Sequence, residues 1–284
     1  PYGNRAQSDP EGASVVADLS NFTWKDQEWL EQRKRFQDRK LPISVYETSL
    51  EQWKSMEELT DFLEETDYTH VELHPVMEYI DDITGGYSTY SYYAFSSRFG
   101  TPEDFRKMTD ALHQAGIGVI LDWTPAQFPR YASGLEKFDG TPLYEKQDPA
   151  QAVHPFWGTL LYNYASPMVK DFLISNACFW MEEYHVDGLR MDDVDAMLYL
   201  DYGRNPGEWT PNLYGSNENL EAVEFLKHLN SIVKKRNPGV LLIAQEDGLW
   251  PELTDSVEND HLGFDYKWSG GWTSDLLTYL GKDP

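Results

Sequence analysis

The chain has 284 residues and a formal net charge of −25, because 48 acidic side chains outnumber 23 basic ones. A protein this acidic repels polyanions, which argues against a nucleic-acid partner and against an anionic membrane surface. Its single cysteine, Cys178, excludes an internal disulfide framework and a cysteine-based metal cluster. The sequence has neither a signal-peptide pattern nor an apolar stretch of membrane-spanning length, so we expect a cytoplasmic protein.

Short apolar segments alternate with helical patterns along the chain. The predicted strands are 43–48, 70–76, 118–122, 186–194, 240–246 and 263–268. The predicted helices are 56–65, 102–115, 167–185, 217–236 and a last one from about 274. The second helix has the clearest start, because Thr101 can cap it, Pro102 suits its first position and Gly116 can end it. This alternation predicts an α/β fold with a parallel sheet.

The order of elements allows a doubly wound sheet or a TIM (β/α)8-type barrel, and carboxylates at several strand ends favour the barrel. A closed barrel needs eight strands and the pattern supplies six, so we expect an incomplete catalytic barrel in residues 41–284. Residues 1–40 are interpreted as a lead-in segment from a preceding N-terminal domain. A segment rich in Gly, Pro and Asp, about 125–166, is an excursion of a length that usually carries function.

The segment 187–194 places Arg190 two residues before Asp192 in a short apolar run. Positions two apart in a strand point to the same face, so we expect the cation to hold the carboxylate ionised. An ionised aspartate at the C-terminal end of a barrel strand suits the nucleophile of a retaining glycosidase-type enzyme. A buried ion pair that only supports packing is the alternative, and this segment alone does not decide between the two.

Carboxylates end three successive predicted strands, at Asp122, Asp192 and Glu246. Retaining chemistry at a glycosidic bond needs a nucleophilic carboxylate and a carboxylic acid ~5–5.5 Å apart. Neighbouring parallel strands lie ~4.8 Å apart, so adjacent strand ends can bring Asp192 and Glu246 to that separation. We therefore expect Asp192 to act as the nucleophile and Glu246 as the proton donor.

Long stretches of the chain resemble bacterial 1,4-α-glucan (glycogen) branching enzymes of the α-amylase superfamily, glycoside hydrolase family 13. The resemblance covers nearly all of the chain. Its long stretches are typical of branching enzymes and distinguish them from amylases. The stretches that carry it are SSRFGTPEDF (96–105), HQAGIGVILDW (113–123), HPFWGTLLYNY (154–164), FLISNACFWMEEYHVDGLRMD (172–192), MLYLDYGRNPGEW (197–209) and GFDYKW (263–268).

The resemblance implies a role for several residues. Asp192 matches the nucleophile of the family and Glu246 its general acid/base, while Arg190 matches the arginine that orients the nucleophile. Tyr87 matches the tyrosine that stacks under the sugar, and Asp122 the aspartate that organises that subsite. The implied reaction cleaves an α-1,4 bond and transfers the glucan chain to a 6-hydroxyl, in glycogen synthesis. It implies an α-glucan substrate and no metal or organic cofactor.

The sequence departs from the family pattern around these residues. Gln127 replaces the usual histidine, and its amide can still bind a sugar hydroxyl but cannot carry charge. Gly85 stands where a tryptophan is expected, and Gln245 replaces the first of two glutamates. Asp193 and Asp195 add carboxylates where small apolar residues are usual, and they are expected to raise the pKa of Asp192.

Three functional hypotheses remain open from the sequence. The first is a branching glycosyltransferase, the second an α-glucan hydrolase on the same scaffold, and the third a catalytically impaired glucan-binding homologue. The departures at residues 85, 127 and 245 motivate the last two. For the 284-residue chain alone we expect no turnover, because two barrel strands and the family's third essential carboxylate lie beyond it.

Overall fold

The computed structural model describes residue 3 and residues 14–37, 41–248 and 250–282. Within these ranges the strands are β1 Val45–Thr48, β2 His70–Leu73, β3 Met77–Tyr79, β4 Thr89–Phe95, β5 Gly118–Trp123, β6 Gln127–Phe128, β7 Leu160–Leu161, β8 Gly188–Met191, β9 Leu241–Gln245 and β10 Tyr266–Trp268. The helices are α1 Gln27–Gln32, α2 Lys34–Gln37, α3 Met56–Glu64, α4 Pro102–Gln114, α5 Pro149–Ala152, α6 Pro167–Glu183, α7 Val194–Leu198, α8 Leu220–Arg236 and α9 Gly270–Leu280.

Six of the strands form one parallel sheet in the order β1-β2-β5-β8-β9-β10. Five of them lie within segments predicted to be strands, and β5 extends one residue past its predicted segment 118–122. The α/β class is confirmed. The sheet curls into a half-barrel, so that side chains of its first strand and its last two strands line a common hollow. The hollow is bounded by Val45 on one side and by Ile243 and Trp268 on the other.

The start of α4 follows the predicted capping pattern. The Thr101 hydroxyl accepts a hydrogen bond from the backbone N–H of Asp104, and the Asp104 carboxylate accepts one from the backbone N–H of Thr101. Pro102 occupies the first helical position, where its missing N–H costs nothing. Gly116 follows the helix with a φ of 81°, a conformation that favours glycine.

The fourth predicted strand, 186–194, is longer than the strand that forms. β8 ends at Met191 because Asp193 adopts a left-handed φ of 57°, and α7 starts directly after it. Similarly, the strand predicted over 70–76 ends at Leu73, and residues 74–76 connect β2 to β3. The antiparallel β3–β4 hairpin was not predicted from the sequence between β2 and α4.

The segment before β1 packs against the N-terminal end of the sheet through a buried polar cluster. Asp187, just before β8, accepts hydrogen bonds from Trp29 Nε1 at 2.8 Å and bonds His113 Nε2 at 2.8 Å. Asp26 bonds the Nδ1 atoms of His113 at 2.9 Å and His185 at 2.6 Å. These contacts tie α1 and α4 to the start of β8, at the end of the sheet opposite the strand-end carboxylates.

Candidate active site

The candidate residues lie at the carboxyl ends of neighbouring parallel strands. Asp122 in β5 is paired in register with Arg190 in β8, and Asp192 follows the end of β8. Glu246 follows the end of β9, which is the next strand in the sheet. The carboxyl ends of parallel strands meet at one edge, so the fold places Asp192 and Glu246 on adjacent strand ends as the sequence predicts.

Arg190 joins three of the predicted side chains into one network. Its Nη1 atom lies 3.1 Å from Asp122 Oδ2 and 3.0 Å from Asp192 Oδ1. The Tyr87 hydroxyl donates a hydrogen bond to the same Asp122 oxygen and lies 3.4 Å from Arg190 Nη1. Tyr87, Asp122, Arg190 and Asp192 therefore form one continuous polar cluster, largely shielded from solvent.

The electrostatics of Asp192 differ from the expectation that the arginine controls them. Burial raises the pKa of Asp192 to about 6, and the stabilising effect of Arg190 only partly opposes it. Asp122 and Asp193 raise the same pKa further, as expected for Asp193. The carboxylate is therefore ionised at neutral pH but becomes protonated in mildly acidic solution.

Glu72 is a member of this cluster that sequence reasoning missed. Its side chain is fully buried on β2, with Oε1 3.8 Å from Arg190 Nε. Burial, together with the nearby Asp122, raises the pKa of Glu72 to about 8. A lone glutamate inside an apolar strand gives no signal in sequence, because only the sheet order brings it beside Arg190.

Glu246 is fully buried, and a hydrogen-bond donor lies beside each of its two carboxyl oxygens. Lys267 in β10 donates a hydrogen bond to its Oε2 atom, and the backbone N–H of Trp250 lies 3.4 Å from its Oε1 atom. Gly248 passes so close that a Cβ there would lie 2.4 Å from Glu246 Oε1. The loop after β9 and the side chain of Lys267 thus fix the position of this carboxyl group.

Asp195 shapes the same loop and was expected to act on Asp192 instead. It accepts hydrogen bonds from the backbone N–H groups of Asp247 at 2.9 Å and Gly248 at 3.2 Å. Burial, and then a hydrogen bond with Glu246, raises the pKa of Asp195 to about 6. Its side chain therefore lies with Glu246, whereas burial, Asp122 and Asp193 are the main causes that raise the pKa of Asp192.

Gln127 joins the site through Asp193. The Thr159 hydroxyl donates a hydrogen bond to Gln127 Oε1, and Gln127 Nε2 lies 3.4 Å from Asp193 Oδ2. His154 Nε2 bonds the same Asp193 oxygen at 2.8 Å. Both ends of the Gln127 amide are thus engaged by protein. In the described ranges, no group of three or more His, Cys or acidic residues is placed to hold a metal ion.

Comparison with known proteins shows which proteins the chain resembles. No protein-family model matches the chain. Over its whole length the chain is 49% identical to the 1,4-alpha-glucan branching enzyme GlgB of Methylococcus capsulatus, of which 40% is covered. It is 48% identical, again over its whole length, to GlgB of Thermobifida fusca, of which 39% is covered. Over its whole length the chain is therefore similar to one segment of the named 1,4-alpha-glucan branching enzymes.

The branching-enzyme resemblance stated from the sequence is thereby confirmed, and it applies to a segment. The chain spans about 40% of the length of these curated relatives. A Salmonella typhimurium protein assigned as an alpha amylase shares its fold, with a TM-score of 0.64 at 22% identity over 90% of the chain and 40% of that protein. Among the helices in the described part of the chain, none has the length and apolarity needed to span a bilayer.

Proposed function

We propose that the full-length protein is a 1,4-α-glucan branching enzyme that acts in the cytoplasm during glycogen synthesis. The observation that carries the proposal is the pair of carboxyl groups on adjacent strand ends, Asp192 and Glu246, in a chain 49% identical to a named branching enzyme. The substrate is an α-glucan, which is neutral and therefore compatible with the strongly acidic surface. No nucleic-acid or membrane partner enters the proposal.

In the proposed mechanism Asp192 attacks the anomeric carbon of an α-1,4-linked glucose unit. Glu246 donates a proton to the departing 4-oxygen, and the transferred chain remains bound to Asp192 as a glycosyl ester. Glu246, now deprotonated, then removes the proton from a glucan 6-hydroxyl, which attacks the anomeric carbon and releases Asp192. Two displacements at one carbon retain its α configuration and produce an α-1,6 branch.

The cluster around Arg190 supports this division of roles. Arg190 Nη1 bonds Asp192, so the nucleophile is oriented before the substrate arrives. Tyr87 and Asp122 share a hydrogen bond in the same cluster and are proposed to bind the sugar whose bond is cleaved. Gln127 contacts Asp193, the residue that follows Asp192. We propose that its side-chain amide binds a sugar hydroxyl after releasing Thr159 or Asp193.

We further propose that the parallel sheet is part of a TIM (β/α)8-type barrel in which 41–284 form the catalytic portion and 1–40 lead in from an N-terminal domain. The curled six-stranded sheet and the apolar hollow between β1 and β10 support this arrangement. The similarity to the fold of a protein assigned as an alpha amylase supports it as well.

One observation favours an impaired, glucan-binding homologue as the second candidate. Lys267 donates a hydrogen bond to Glu246 Oε2, so this oxygen can carry a proton to the substrate only after the contact loosens. A protein in which the contact persists would bind glucan without cleaving it. The catalytic hypothesis is preferred because the Arg190–Asp192 pair and the adjacent Glu246 are all present.

Proton NMR of amylose incubated with the full-length protein separates the three functions. A branching enzyme produces an α-1,6 anomeric signal, and a hydrolase produces new reducing ends without that signal. A glucan-binding homologue produces neither, while its affinity for amylose is measurable. The absence of an α-1,6 signal from a folded protein would overturn the proposed function.

A further inference from the structure

Two aromatic side chains stand open to solvent close to the candidate active site. Phe156 is 64% exposed and Trp157 is 68% exposed, in the excursion between β6 and β7. Exposed apolar groups that adjoin one another and are bordered by polar residues are typical of ligand-binding grooves and interaction sites. Such side chains form a defined binding surface only if the structure holds them in place.

His154 anchors the turn that carries both rings. Its Nδ1 atom accepts hydrogen bonds from the backbone N–H groups of Phe156 at 3.2 Å and Trp157 at 3.3 Å. Because two donors point at Nδ1, the ring proton resides on Nε2, which donates to Asp193 Oδ2 at 2.8 Å. The turn is thereby attached to the residue that follows the proposed nucleophile, Asp192.

The ring of Phe156 is held on one side and open on the other. A Cβ at Gly203 would lie 2.7 Å from Phe156 Cε2, so the ring packs directly over the glycine. Gly203 has a φ of 64°, which favours glycine independently of the contact. Tyr202 meets the same ring edge-on, with the centroids 5.6 Å apart. The ring is therefore oriented before any ligand arrives, which lowers the entropy cost of binding.

We propose that Phe156 and Trp157 form a stacking platform for glucose units of the α-glucan chain that enters the active site. Glucose presents apolar C–H faces, which pack on aromatic rings as other apolar groups do. The acidic charge of the protein disfavours a polyanion at this position, whereas a glucan is neutral. This inference rests on the proposed function and adds to it a second contact region for the same substrate.

The test measures binding apart from turnover. Full-length protein carrying Asp192→Asn binds maltoheptaose in a calorimeter without consuming it, and the second-site variants Phe156→Ala, Trp157→Ala and Trp157→Phe are compared in that background. We expect each alanine variant to weaken binding about tenfold, the loss of one stacked ring, and Trp157→Phe to weaken it less than about threefold. Phe138→Ala is the matched control, because Phe138 lies in the same excursion, is 49% exposed and contacts Tyr144 instead.

The outcomes distinguish this inference from the proposed function. Weaker binding in both alanine variants, with the aromatic substitution and Phe138→Ala close to the parent, supports the platform even if no α-1,6 linkage is ever formed. Unchanged binding in both alanine variants, or equal loss in Phe138→Ala, overturns it even if the unmodified protein branches amylose. Near-ultraviolet circular dichroism shows whether an alanine variant has misfolded. If one has, Trp157→Phe decides the outcome, because loss of binding in a folded Trp157→Phe protein contradicts simple stacking.

Discussion

Lys267 in β10 donates a hydrogen bond to the buried carboxyl group of Glu246 at the end of β9. The two strands are neighbours, and Lys267 is paired in register with Ala244, two residues before Glu246. The contact places a cation beside the group proposed to donate and accept the proton. Lys267 also bonds the backbone carbonyl of Gly248 at 3.0 Å, so it connects β10 to the loop that follows β9.

Removal of this cation is expected to destabilise the protein. Lys267→Ala leaves Glu246 buried without its ionic partner, and such losses cost about 3 kcal/mol in the free energy of unfolding. Denaturant unfolding of the full-length protein measures the change. Lys227→Ala is the control, because Lys227 pairs with the exposed Asp260 and its loss is expected to destabilise the protein much less. Equal midpoints for the two variants would contradict the buried pair.

The pH dependence of catalysis is expected to follow Asp192. Its pKa of about 6 predicts that activity is lost as the pH falls through that value, because the protonated carboxyl cannot attack. Arg190 lowers this pKa, so Arg190→Gln is expected to move the acidic limb of the kcat/KM profile to higher pH. The control is Arg130→Gln, since Arg130 pairs with Glu136 at the surface. An acidic limb that stays in place in Arg190→Gln would show that another group controls it.

Gly248 is expected to be intolerant of even one added methyl group. Its hypothetical Cβ lies 2.4 Å from Glu246 Oε1 and 2.9 Å from Asp195 Oδ1, so an alanine must displace the proposed acid/base. We expect Gly248→Ala to lower kcat at least about tenfold, the effect of misplacing a catalytic group. Gly271→Ala is the matched control, because the nearest atom to its Cβ position is 3.9 Å away. Unaltered turnover by Gly248→Ala would mean that the loop readily rearranges.

Stability is expected to depend on pH through His113, far from the catalytic edge. The buried carboxylates Asp187 and Asp26 raise the pKa of His113 to about 9 against the opposing effect of burial. The folded pKa exceeds the unfolded value of about 6.5, so the contribution is complete below pH 6.5 and is lost as the pH rises through 9. The same contacts lower the pKa values of Asp26 and Asp187, whose contribution is lost in acid.

Unfolding free energies at pH 6 and pH 9.5 test this linkage. The free energy of unfolding of the unmodified protein is expected to fall between pH 6 and pH 9.5. At pH 6 the His113→Gln variant is expected to have a lower free energy of unfolding than the unmodified protein, and this value is expected to fall less between the two pH values. Parallel pH profiles for the two proteins would exclude His113 as the titrating group. His261→Gln is a suitable control, because His261 contacts the more exposed Glu252.

The main sheet was predictable because its strands are short apolar runs between well-marked helices. The adjacency of Asp192 and Glu246 followed from the same alternation, since successive strands of such a fold pair side by side. The β3–β4 hairpin was missed because its strands lack a clear two-residue alternation. The left-handed turn at Asp193 was missed because a positive φ is uncommon for residues other than glycine. This turn shortens the strand that was expected to continue to residue 194.

Parts of the candidate site depend on contacts that no local pattern encodes. Glu72 reaches Arg190 only because β2 and β8 flank β5, and Lys267 reaches Glu246 only through the pairing of β10 with β9. The size of the effect on the pKa of Asp192 also depends on the assembled fold. The neighbouring arginine is visible in sequence, but the burial that outweighs it appears only once the strand ends are assembled.

Identification of the covalent intermediate tests the central claim most directly. Full-length protein carrying Glu246→Gln would be incubated with α-maltosyl fluoride, whose fluoride departs without a proton donor while release of the sugar is slowed. Peptide mass mapping is predicted to find a maltosyl group esterified to Asp192, and none in the double variant with Asp192→Asn. A folded Glu246→Gln protein that carries the sugar on a different residue, or binds the donor without becoming labelled, would contradict the account.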